Sequence, residues 1–378
     1  MASTLNVRLL YGLHFVLFFT IHLKQPLDAL LPKLCIVGIY TLLFVFLLTR
    51  QVNRWKEHIL IFAGLLLTLL VLKLLFVQHF NIQFLYLWVV LGCFGLMPIK
   101  KDDIDFIVRI TPLLYLVFAL ILHYTFFKSL SLYEVRQLPN RFLPQFLNRF
   151  IGITGSPAGP DIIYTATLFY TIFLIRKRTI DYFNIVISIL VIIWTSSLSP
   201  LFAVILALPV LFLKRFKTGY FLLSMYYCFF LVILYNYSSQ PYKHLLNVLT
   251  TLRVQIWDKV TTGLGAQNSL SEWLLGRREM IEFTHLFGVV DANPHNFTIY
   301  LLEFGGLIGL LLATVYFILK VQALRNKKVW FLVMLIFFYV STNPIPFTIV
   351  DSPFLIYLGL AFLMYEQQLT SEPSRNDG

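Results

Sequence analysis

The chain has 378 residues, 58% hydrophobic and 13% charged, with a mean hydropathy of +0.79. A soluble domain carries about 25% charged residues, so this composition excludes a soluble globular protein and indicates an all-α polytopic membrane protein. The net charge of +12 is gathered largely in short loops between apolar runs. It is therefore topological and does not point to nucleic acid as a partner.

A spanning helix needs ~20 apolar residues. Candidate spans lie at 9–23, 34–48, 59–77, 84–97, 110–127, 162–175, 183–196, 201–213, 220–235, 295–319, 330–340 and 354–365. The chain thus divides into N-terminal spans (1–127), a long outer segment (128–160), central spans (161–235), a larger outer segment (236–294), C-terminal spans (295–366) and a tail (367–378). Lysine and arginine favour the cytoplasmic side in short loops. With both termini inside, the basic loops around Arg50–Lys56, Lys100-Lys101, Arg176–Arg178, Lys214–Lys217 and Lys320–Lys328 all fall there. The short outer loops then hold only Lys24 and Lys33. No small-residue cleavage site follows the first span, which reads as retained. Cys35, Cys93 and Cys228 all fall in spans, build no disulfide or zinc pattern, and read as small apolar core residues.

The two long outer segments are rich in aromatics and arginine. In the first, Arg141, Phe142, Phe146, Arg149 and Phe150 suggest a short amphipathic helix. The run from Gly152 to Asp161 that follows is too rich in glycine and proline for regular helix. In the second, Leu245, Leu249, Leu252 and Ile256 form one apolar stripe. It predicts a helix lying along the membrane surface, with Arg253 and Trp257 one turn apart near the headgroups and Gly263 and Gly265 ending it. Ser269-Leu270-Ser271-Glu272 starts a second short helix, carrying Trp273, Arg277 and Arg278.

Two constellations carry chemistry. The first opens the span at 295. Asn293 is a candidate N-cap and Pro294 suits the first helical position. His295 and Asn296 then lie in the first turn, where free N–H groups favour an anion and keep an imidazole neutral. A neutral His295 would accept a proton from a hydroxyl; the alternative is that His295 and Asn296 only cap the helix. Glu303, inside a span, must face protein or water, either as a structural ion-pair partner or as an alternate base. Gly305, Gly306 and Gly309 read as close-packing positions. The second constellation is Arg141, Arg149, Arg253, Arg277 and Arg278, outer cations whose guanidinium forks suit phosphate. Asp103-Ile104-Asp105 has the form of a metal-binding D-x-D, but just after Lys100-Lys101 it reads as a solvated charge cluster starting a helix. No metal site or cofactor is expected.

These residues resemble the Wzy-type O-antigen/exopolysaccharide polymerases of the O-antigen ligase/polymerase superfamily. Arg253-x-x-x-Trp257, Trp273-Leu274-Leu275-Gly276, His295-Asn296 and Glu303-Phe304-Gly305 with Gly306-Leu307-Ile308-Gly309 carry the resemblance, together with Arg141 and Gly152 separated by ten residues. Two positions depart from the family pattern: Ser199-Pro200 stands where a Ser-Arg pair is usual, and Pro160-Asp161 where Pro-Asn is usual.

The resemblance implies about twelve spans in the bacterial inner membrane, with two long periplasmic loops carrying short amphipathic helices and the active face periplasmic. It implies transfer of a growing glycan from undecaprenyl diphosphate to the non-reducing end of another lipid-linked repeat unit, without metal or nucleotide sugar. Partners would be the undecaprenyl-diphosphate-linked oligosaccharide, the bilayer and, as a candidate, a chain-length regulator. Arg253 is the first choice for the leaving diphosphate, joined by Arg141, Arg277, Arg278 and Asn296. His295 is the first choice as base, with Glu303 or Asp291 as alternates. The rivals are the ligase that moves the glycan to lipid A-core and, from another class, a flippase. A flippase should line a cavity with charge inside its spans, and the spans between Arg109 and His295 carry almost none.

Overall fold

The computed structural model describes residues 7–23, 35–36, 38–45, 101–125, 158–175, 178–195, 199–213, 217–250, 253–267, 269–277, 283–284, 290–291, 296–324 and 326–340. The described chain is helical apart from one two-residue antiparallel ladder. In chain order the helices are α1 (Val7–Leu23), α2 (Lys101–Thr125), α3 (Ala158–Phe173), α4 (Thr179–Thr195), α5 (Ser199–Ala207) and α6 (Pro209–Phe212). Then follow α7 (Lys217–Tyr237), α8 (Gln240–Leu249), α9 (Arg253–Gln267), α10 (Leu270–Leu275), α11 (Phe297–Ala323) and α12 (Lys327–Val340). Strands β1 (Phe283–Thr284) and β2 (Val290–Asp291) pair between α10 and α11.

Among the described residues, two helices are long and apolar enough to cross a membrane: Asp102–Ile121 within α2, and α7. A third span results if α4 and Pro200–Phe212, bent 119° from each other, count as one. Shorter apolar helices lie in α1, α3 and α11. The runs read as spans at 59–77, 84–97 and 354–365 lie outside the described residues.

Helix α3 is a hub, packing on α2, α4, α5 and α12. It buries Thr165, Thr167 and Thr171 among apolar neighbours. An unsatisfied hydroxyl there would be costly, and Thr165 and Thr167 avoid this by bonding back to their own helix. Thr165 donates to the Asp161 carbonyl at 2.6 Å and Thr167 to that of Ile163 at 2.8 Å. Tyr164 donates to the carbonyl of Pro112 at 2.8 Å, beside the proline inside α2.

The far end of α3 meets a buried polar clasp. Arg109 of α2 grips Asp181 with two bonds, of 2.8 and 3.2 Å. Asp181, wholly buried, also accepts from the backbone N–H of Arg178 at 2.7 Å. Asn184 donates to the Arg109 carbonyl at 2.8 Å, fastening α4 to α2. The D-x-D pair is split, and the expected solvated cluster holds for one member only. Asp103 pairs with Arg8 of α1 at 2.7 Å, whereas Asp105 is buried and accepts from Tyr170 at 2.8 Å. Two residues apart on a helix, they point about 200° apart, toward different neighbours.

The core reading of the cysteines holds for buried Cys228, fails for exposed Cys35, and lies outside the described residues for Cys93.

Candidate functional site

The second long segment differs from the single surface helix that its leucine stripe predicts. The stripe is cut after Leu249, and a new helix, α9, opens at Arg253. Thr250 turns the chain: its hydroxyl accepts from Val254 N–H and its carbonyl from Arg253 N–H, both at 3.3 Å. Gly263 and Gly265 do not end α9, which runs to Gln267. A helical glycine costs only about 1 kcal/mol, less than the packing of this helix returns.

Helix α9 buries Val254, Trp257, Val260 and Leu264, and it packs on α7. Trp257 does not rise among headgroups. It is wholly buried, edge-on to Tyr227 with ring centroids 5.9 Å apart. Tyr227 stands about 15 Å along α7 from its Tyr237 end, at 1.5 Å per residue. The head of α9 therefore lies beside the middle of α7.

Arg253 lies there within electrostatic reach of two residues from distant parts of the chain. The Gly/Pro run, expected to be irregular, becomes helix from Ala158, with Pro160 in the first turn where a missing N–H costs nothing. This sets Asp161 in the first turn of α3, wholly buried. Tyr339, near the end of α12, donates its hydroxyl to Asp161 Oδ1. Arg253 is partly exposed and within electrostatic reach of Tyr339, Tyr227 and Asp161. Burial pulls its pKa below the usual arginine value, and the neighbouring acid opposes that. An arginine titrates so high that it stays charged.

The other half of the site is the contact between α10 and α11. Ser269 and Glu272 form the capping box that the sequence predicts, and α10 stops at Gly276, φ 87°. Gly306, read as a helix-packing glycine, instead breaks α11 at φ 62°. A Cβ there would strike the backbone of Leu274 and come within 2.5 Å of the Gly276 nitrogen. Only glycine permits both the left-handed backbone and this approach. Arg277 follows, its N–H on the Glu303 carbonyl at 2.6 Å and its guanidinium on the Gly263 carbonyl at 3.3 Å. Its side chain thus ties α10 to α9.

The head of α11 corrects a second expectation. The N-cap is Asn296, not Asn293, and its carboxamide oxygen accepts from Thr298 N–H at 2.9 Å and Ile299 N–H at 3.1 Å. Two of the free donors expected to attract an anion are thereby occupied from within. His295 precedes the helix and, like Arg141, Arg149 and Arg278, lies outside the described residues. Thr298 donates to the Met225 carbonyl at 2.7 Å, anchoring α11 beside the middle of α7. Glu303 is wholly buried, three residues along α11 from Tyr300.

An open groove of about 430 Å³ runs between these helices. Tyr226 and Phe229 of α7, Leu264 of α9, Trp273 of α10, and Leu302 and Leu307 of α11 line it, so its walls are almost wholly apolar.

Of the predicted site residues, Arg253, Arg277, Asn296 and Glu303 thus belong to one packed unit of α7, α9, α10 and α11. Of Asp291, an alternate base, only the backbone is described, in β2. Asp161 and Tyr339 were missed as site residues. The one signal was Asp161 itself, an acid closing a Gly/Pro run beside a span; nothing in sequence marks Tyr339. Among the described residues no three His, Cys, Asp or Glu side chains gather in one place. No family model, curated protein or solved structure matches this chain.

Proposed function

We propose that this chain is a polymerase of lipid-linked oligosaccharide repeat units in a bacterial inner membrane. In this reading it has about twelve spans, cytoplasmic termini, and segments 128–160 and 236–294 on the periplasmic face. The anomeric carbon of the donor glycan exchanges its bond to a diphosphate oxygen for a bond to the acceptor hydroxyl. Undecaprenyl diphosphate leaves, and the hydroxyl proton passes to a base. Arg253 stabilises the charge that develops on the diphosphate, supported by Arg141, Arg277 and Arg278. His295 takes the proton. Buried Glu303 serves the fold of the α10–α11 contact in this scheme, and Asn296 caps α11. The apolar groove receives the isoprenoid next to the diphosphate, its volume being in the range of small-molecule sites.

One observation carries the reading. Two sequence pieces that resemble the polymerases, Trp273–Gly276 and Glu303–Gly306, meet where α10 ends on α11, and Arg277 ties that contact to α9, the helix that Arg253 and Trp257 open.

The test is made with purified protein in nanodiscs, an undecaprenyl-diphosphate-linked repeat unit and EDTA. A ladder growing by one repeat, with undecaprenyl diphosphate released, is the expected result. Arg253→Ala should slow the ladder by about a hundredfold to a thousandfold, as for loss of one transition-state donor. Transfer only to added lipid A-core would replace the polymerase by a ligase. Tight binding without either product would favour the transporter.

A further inference from the structure

We propose that α11 is a re-entrant hairpin in the membrane. Its first arm, 297–305, dips in from the face where α7 ends at Tyr237, begins near mid-depth and does not cross. Only the arm beyond Gly306 crosses.

A straight helix would hold Phe297 and Phe317 about 30 Å apart, at 1.5 Å per residue. Their ring centroids lie 5.8 Å apart. The chain therefore folds back at Gly306, whose backbone is non-helical. Both arms meet α7 at one level. Thr298 donates to the Met225 carbonyl at 2.7 Å, while Thr314 lies 3.5 Å from the Met225 sulfur and 3.1 Å from the Tyr226 hydroxyl. Phe337 of α12 packs on Phe297 and on Phe221 of α7, which in turn meets Phe317.

Helix α7 supplies the depth scale. It is apolar and long enough to cross, about 31 Å for its 21 residues. Met225 lies about 12 Å from its Lys217 end and about 18 Å from its Tyr237 end. The second arm finishes at the Lys217 end, where the Lys217 ammonium donates to the Leu324 carbonyl. From Thr314 back to Gly306 it rises about 12 Å toward the other end, and there α10 closes on the turn. The first arm covers only about 13 Å, whereas a span needs ~20 residues. A helix that begins inside a membrane has no water for its first N–H groups, and irregular backbone is tolerated there only when buried in protein. Asn296 meets both needs: it is 3% exposed, and its side chain takes the N–H groups of Thr298 and Ile299. On the second arm Leu307, Leu311, Val315 and Leu319 recur every four residues and are exposed, as on a face turned to lipid. Trp257, near the head of α9, meets Tyr227, two residues from Met225. On the polymerase reading the lipid diphosphate is thus received about half-way into the membrane; the depth itself does not rest on that reading.

The test needs no substrate. The native chain is placed in nanodiscs with a phospholipid carrying a diazirine at the end of its acyl chain, and mass spectrometry locates the label after illumination. Val315 should carry the most label, with Leu311 and Leu319, about 6 Å to either side, carrying smaller and similar amounts. A single span at 295–319 is centred on Leu307, about 12 Å away. Label falling steadily from Leu311 to Leu319 would therefore overturn the inference. The fold-back has its own readout. With Cys35, Cys93 and Cys228 replaced by alanine, Phe297→Cys and Phe317→Cys should be joined by a short bis-thiosulfonate linker. Folded protein in which that link does not form also overturns it. A wild-type chain that ignores undecaprenyl diphosphate would sink the polymerase reading and leave both of these results standing.

Discussion

Two buried aspartates sit at the two ends of α3, and they are held differently. At one end Arg109 closes on Asp181 with both arms, the carboxylate also takes the Arg178 N–H, and Asn184 ties the Arg109 backbone. Every partner is a neighbouring helix or its own turn. That pair is a closed clasp joining α2 to α4. At the other end Asp161 accepts from Tyr339, and Arg253, at the head of α9, lies within electrostatic reach. The two carboxylates thus differ in what holds them: Asp181 takes both arms of an arginine, whereas Asp161 takes a tyrosine hydroxyl.

The comparison breaks most sharply if the clasp is opened. Arg109→Ala leaves Asp181 buried and charged, and should cost about 3–5 kcal/mol of stability. It should lower the thermal midpoint while leaving turnover per folded molecule unchanged, the opposite of Arg253→Ala. A turnover loss in protein of wild-type stability would show that the clasp too takes part in function. Gly306→Ala comes next. It combines a left-handed backbone with overpacking against α10, together about 2–4 kcal/mol. Because it pushes α10 off α11, it should also raise the proteolysis rate between Leu270 and Arg277, read by limited digestion. Unchanged digestion would mean that the α10–α11 contact is not held as described. Asn296→Ala is the smallest, about 1 kcal/mol for a lost N-cap. It frees two N–H donors at the head of α11, so undecaprenyl diphosphate binding should be kept or slightly strengthened. A large loss of binding would instead make Asn296 a ligand contact and extend the open end of the comparison to α11.

Much of the candidate site was legible, for identifiable reasons. Arg253 and Trp257 stand out because a cation and an indole one turn apart are unusual in an apolar chain. Ser269 and Glu272 announce α10 because a capping box is a purely local device. The start of α11 was misplaced because Asn293 and Asn296 are both acceptable caps, and only the contact of Thr298 with Met225 selects the second. The leucine stripe across Thr250 misled because periodicity registers the face of a helix and not a turn within it.

The sequence alone determined the membrane character, the helical class, and which cations and glycines merit attention. Composition, period and capping act within a few residues of the chain. Tertiary structure decided that α9 lies beside the middle of α7, that Gly306 is a break receiving the end of α10, and that Asp161 takes the Tyr339 hydroxyl within electrostatic reach of Arg253. The last three residues are separated by long stretches of chain. Only the burial of helix faces against one another brings them to a single point, and a buried carboxylate then accepts only partners that satisfy its charge.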